Sequence, residues 1–104
     1  MTLSPYAYYA LKSVVSRSVE RQTIQMIKEA FGAQVKQLRT EQGMTQEELS
    51  QRSGLAIRFL QDVEAGNKQA SIKTVFKLAD GLGVKPEQIL GELFKDWRKA
   101  GKPE

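Results

Sequence analysis

The ten residues from Ala56 to Ala65 include Arg58, Gln61 and Asp62, three side chains that can read a polar surface. A guanidinium offers two parallel donors, an amide one donor side and one acceptor side, and a carboxylate accepts only. On the edges of bases the guanidinium matches the paired acceptors of guanine, and the carboxylate the amino group of cytosine. This is the chemistry of recognition, in which no covalent bond is made or broken. The chain has no cysteine and no histidine, which removes thiol nucleophiles, disulfides, the usual zinc sites and the commonest general base. No nucleophile–base pair, metal-ligand cluster or glycine-rich phosphate loop stands out, so the expectation is a protein that is not an enzyme and has neither cofactor nor metal. Sixteen Lys and Arg against twelve Asp and Glu leave a formal charge of +4, which favours polyanionic partners without identifying one.

The elements that must hold these side chains follow from spacing. Ile24, Ile27, Phe31, Val35 and Leu38 recur at steps of three and four and place one face of a first helix, ending near Gly43. Thr45 stands as the N-cap of a second, short helix, and Glu48 completes a capping-box pattern before Ser53-Gly54 stops it. In the third helix, which stops at Gly66-Asn67, Leu60 and Val63 must face inward. Ile57, Arg58, Gln61 and Asp62 therefore face out, with Phe59 at the edge. Ser71 caps a fourth helix whose inward face is read as Ile72, Val75, Phe76, Leu78, Ala79 and Leu82. Pro86 opens a fifth, carrying Ile89, Leu90, Leu93, Phe94 and Trp97.

Nothing alternates like a strand, so the fold class is all-α with connections of two to six residues. A chain of 104 residues has room for one compact domain with appendages. The expected division is an N-terminal helical appendage over 1–22, a domain over 23–92, and a helix end with a polar tail over 93–104. Tyr8, Leu11, Val15 and Val19 support the extra helix. The apolar stretch from Leu3 to Leu11 lacks the preceding positive charge of a signal peptide, and no apolar run spans a bilayer, so a soluble, cytoplasmic protein without membrane attachment is expected.

Two short helices joined by a tight turn at Gly54 form a unit whose second helix can enter a DNA major groove. The runs GMTQEELSQRSGL, RFLQDVEAGNK and SIKTVFKLADGLGV resemble the phage-repressor and Cro-type helix-turn-helix family, often called XRE-like, over Phe31 to Leu90. The resemblance implies a five-helix lambda-repressor-like domain, double-stranded DNA as partner and a role in transcription regulation. It also implies a structural clamp between Arg39 and Glu64, and phosphate contacts by Thr45 and Gln46 at the start of the second helix, where free N–H groups attract anions. Asn67, Lys68, Ser71 and Lys73 would add flanking phosphate contacts, which set position and salt dependence. Arg58 is the leading candidate for base readout, and Ile57 for a thymine methyl. Two residues depart from the family pattern: Ala56, where Ser or Thr is common as an N-cap, and Asp62, a carboxylate facing phosphates.

One recognition helix reads few base pairs, so a homodimer on two half-sites is expected. The stripe Leu93, Phe94 and Trp97 is the expected contact, together with Tyr6, Tyr8, Tyr9 and Leu11. The alternative is an N-terminal helix folded over the fifth helix of a monomer. The layout resembles both restriction-modification controller proteins and antitoxins, and a toxin or other protein could dock on the N-terminal segment. A protein-interaction module that kept the fold without DNA affinity stands as the rival reading.

Overall fold

The computed structural model describes residues 24–99. The N-terminal appendage, with its tyrosines, and the polar tail lie outside them. Among the described residues five helices follow one another: α1 (24–41), α2 (Gln46–Ser53), α3 (Ile57–Glu64), α4 (Ile72–Leu82) and α5 (Pro86–Lys99). Among the described residues there is no strand.

The core is drawn from every helix. Phe31 and Val35 of α1, Leu49 of α2, Leu60 and Val63 of α3, Leu78, Ala79 and Leu82 of α4, and Ile89 and Leu93 of α5 are all buried. The apolar spacing thus finds the buried rows, with two corrections on α4. Ile72 and Phe76, read as inward, are 74% and 58% exposed. The row that turns in is Val75, Leu78, Ala79 and Leu82, and the 72/76 row lies one step round the helix, past the edge of the contact. Ile24, the first apolar residue of the α1 row, is also largely exposed.

Two glycines allow the helices to approach closely. A Cβ on Gly32 of α1 would lie 2.2 Å from the Val63 carbonyl oxygen and 2.8 Å from that of Glu64, so only glycine lets α3 end against α1. A Cβ on Gly81 of α4 would meet the Ser53 backbone nitrogen at 3.0 Å, where α2 ends. The two helices that carry the turn are thereby seated directly on the backbones of α1 and α4. The α3–α4 connection, Ala65–Ser71, runs seven residues, one more than the expected upper bound, because α3 stops at Glu64.

Candidate nucleic-acid interface

The turn between α2 and α3 is built from short polar side chains. Thr45, extended at φ −80°, accepts from the Glu48 N–H at 3.1 Å and caps α2. The reciprocal bond of a capping box, from Glu48 back to Thr45, is not among those formed by the described residues. Gly54 ends α2 in the left-handed region at φ 73°, a conformation that costs glycine nothing. The Ser50 hydroxyl donates to the Leu55 carbonyl, and Ser53 Oγ, itself buried, accepts from the Leu55 N–H at 3.2 Å. These two serines fix the angle between the helices. In sequence Ser53 reads only as part of the helix stop and Ser50 not at all, although two hydroxyls within the last turn of a helix ahead of a glycine are the available signal.

The structure brings Arg39 and Glu64 together in a two-pronged pair. Arg39 Nε donates to Glu64 Oε2 at 2.8 Å and Nη2 to Oε1 at 2.9 Å, while Nη1 donates to the Met44 carbonyl at 2.8 Å. Gln46 Nε2 donates to the same Glu64 Oε1 at 3.1 Å. Three segments are tied by one carboxylate: α1, the start of α2 and the last residue of α3. The pair is nearly closed to solvent, with side-chain exposures of 10% for Arg39 and 4% for Glu64. The hydrogen bond to Glu64 raises the Arg39 pKa above its ordinary value; burial opposes this, and the charges of Glu64 and Glu47 add to it. Such a pair adds little net stability over an apolar packing, but losing one partner strands the other's charge.

Against this anchored end, the outer face of α3 is open. Leu60 and Val63 are fully buried. Arg58 and Gln61 are exposed, and Ile57, Phe59 and Asp62 are half-buried at the edges. Ala56 holds the extended cap conformation at φ −62° and ψ 140° with no side-chain bond, so α3 begins uncapped. Thr45, Asn67, Lys68, Ser71 and Lys73 are exposed, and Gln46 is half-buried. The Ser71 hydroxyl is partly committed, accepting from the Thr74 N–H at 3.1 Å and lying 3.0 Å from Thr74 Oγ1.

The stripe expected on α5 divides. Leu93 is part of the core at 9% exposure, because it falls in the inward row with Ile89. Phe94 is 57% exposed and stacks on half-buried Trp97, with ring centroids 5.9 Å apart. The Arg98 guanidinium lies 5.8 Å from the Phe94 centroid. Among the described residues no helix is long and apolar enough to cross a membrane.

A short helix presented across a tight turn, with its inner row buried and its far end pinned, is the helix-turn-helix unit. The chain belongs to the Helix-turn-helix family HTH_3, whose model matches residues 35–89. This is the phage-repressor and Cro class of DNA-binding transcription regulators that its sequence resembles. It is 33% identical over 64 residues to an uncharacterised HTH-type transcriptional regulator, y4dJ, of Sinorhizobium fredii, a match covering 62% of this chain and 83% of that one. Control protein C.BamHI of Bacillus amyloliquefaciens is 33% identical over 61 residues, covering 58% of this chain and 75% of the relative. Among solved structures, the restriction-modification controller protein C.AhdI of Aeromonas hydrophila aligns with a TM-score of 0.57 at 34% identity, over 59% of this chain and 92% of its own.

Proposed function

We propose that this regulator acts without catalysis, as a homodimer on an operator of two half-sites, with α3 of each copy in the major groove. The observation that carries the reading is the contrast along α3: its inner row is sealed and its last residue is pinned by Arg39 and Gln46, while Arg58 and Gln61 project unobstructed. A helix held this way presents its outer residues in a fixed register, which direct readout requires. Arg58 reads a guanine edge, Gln61 an adjacent base, and Ile57 packs on a thymine methyl. Asp62 accepts from a cytosine amino group or turns Arg58.

Around this face the phosphates are held at two places. At the start of α2, the backbone N–H of Gln46 and the Thr45 hydroxyl take one. The Gln46 side chain keeps one amide hydrogen on Glu64 and has a second to offer, which couples the phosphate contact to the clamp. Beyond α3, Asn67, Lys68 and Lys73 take others, with Ser71 contributing what its capping role leaves free. The control protein C.BamHI and the controller protein C.AhdI among the relatives support a role in regulation.

The test is binding to a labelled duplex from upstream of the chain's own gene, across a salt series. Wild type is expected to prefer that duplex over random DNA, with affinity falling steeply as salt rises. Arg58→Ala is expected to keep the salt slope nearly unchanged and to lose roughly 1–3 kcal/mol of discrimination at one base pair. Equal binding of both duplexes by wild type at moderate salt would overturn the reading.

A further inference from the structure

A half-open cavity of about 100 Å³ lies where α1, α4, α5 and the α3–α4 connection meet. Its inner wall is made by the buried side chains of Phe31, Val75 and Leu93, and its lip by Ile27 and Leu90. Ala70, the residue before the Ser71 cap, is the smallest side chain lining it, so the space is room that a larger residue would have filled. Besides these apolar groups the lining holds Gln69 and two cations, half-buried Lys28 on α1 and exposed Lys68 on the connection. Among the described residues no carboxylate lies within ion-pair distance of either ammonium. An apolar hollow with two cations beside it matches a ligand of the reverse make-up, with an apolar tail and one negative head.

We infer that this cavity binds a short-chain monocarboxylate, its tail between Phe31, Val75 and Leu93 and its carboxylate between Lys28 and Lys68. An apolar cavity of about 150 Å³ admits benzene, so a smaller, half-open one takes a tail of about four carbons. Burial of so few methylenes puts half-saturation in the millimolar range. A carboxylate held there neutralises Lys68, one of the phosphate contacts proposed above, so the bound acid lowers operator affinity. That consequence rests on the DNA reading, whereas the cavity and its ligand do not.

The probe is valerate, titrated into the full chain while the methyl resonances of Ile27, Val75, Leu90 and Leu93 are followed by NMR. Saturable shifts confined to these groups are expected with valerate. None is expected with acetate, whose tail is too short, or with pentylammonium, which carries the opposite charge. Lys28→Gln is expected to weaken valerate binding about fivefold, the order of one charge contact, and to leave operator affinity in the absence of valerate unchanged. Ala70→Leu fills the cavity and is expected to abolish the shifts, with its thermal midpoint showing that it folds. On operator DNA, valerate is expected to weaken binding several-fold more than the same concentration of acetate. Failure of valerate to shift these methyls up to tens of millimolar, whether because residues 1–22 or a second copy cover the cavity, overturns the site, as does equal binding of pentylammonium. Saturable shifts in a chain with no preference for its operator uphold the site while the DNA reading falls. Equal effects of valerate and acetate on DNA binding overturn the link through Lys68.

Discussion

The α2–α3 unit and the outer face of α4 and α5 close in opposite ways. In the first, the buried polar groups are paired: Glu64 accepts from two side chains, each nitrogen of the Arg39 guanidinium donates once, and the serines of the turn hold Leu55 from both sides. In the second, Ile72, Phe76, Leu90 and Phe94 stand in solvent and Gly91 has empty space above it. A surface meant to read a rigid ligand gains by being fixed before binding, since ordering it at the moment of contact would cost affinity. An apolar side chain left in solvent contributes little to the stability of a single chain. The first region should therefore be sensitive to small changes in one chain and the second nearly indifferent to them.

The largest effect is expected at the carboxylate on which the first region depends. Glu64→Ala leaves the Arg39 guanidinium buried with only the Met44 carbonyl as partner, and should cost about 3–5 kcal/mol in urea unfolding. It also frees the Gln46 amide, so DNA binding should weaken by more than lost folding accounts for. A cost below about 1 kcal/mol would mean that the pair behaves as an exposed one, and the contrast between the regions would fail.

The next effect belongs to Gly32, where the added methyl of alanine must displace the α3 backbone at Val63 rather than a flexible side chain. Helix propensity favours the alanine by roughly 1 kcal/mol, whereas overpacking against a fixed backbone costs about 1–3 kcal/mol. Gly32→Ala is expected to destabilise, with a lower thermal midpoint as the readout. A raised midpoint would show that α3 can shift on α1 at little cost, and the register argued for Arg58 would lose its support.

How much of this could be read beforehand differs between the same two regions. Caps such as Thr45 and Ser71, and the inward pair Leu60 and Val63, are local patterns and legible from spacing alone. The pairing of Arg39 with Glu64 was legible only through resemblance, since 25 residues separate them and no local rule joins them. Gly32 reads in sequence merely as a weak point in a helix, because its reason, the Val63 carbonyl, belongs to another element. On α4 and α5 apolar residues cover more of the circumference than the core can take, and periodicity does not say which row wins: Ile72 and Phe76 fall outside the buried row, and Leu93 within it.

The smallest effect sharpens the comparison most directly because it changes an apolar residue on a core-bearing helix. Ile72 is the first residue of α4, next to the Ser71 cap, and is 74% exposed, while Leu78 six residues on is fully buried. Serine and isoleucine have similar helix propensities, so Ile72→Ser removes little beyond a partly solvated side chain. Measured at a dilution where the chain is monomeric, its unfolding free energy is expected to stay within about 0.5 kcal/mol of wild type. Leu78→Ala serves as the internal reference, with an expected loss of about 2–5 kcal/mol from the cavity it leaves. A loss at Ile72 approaching that of Leu78 would show that the outer face of α4 is covered within a single chain, and the distinction between a closed reading unit and an open face would then have to be redrawn.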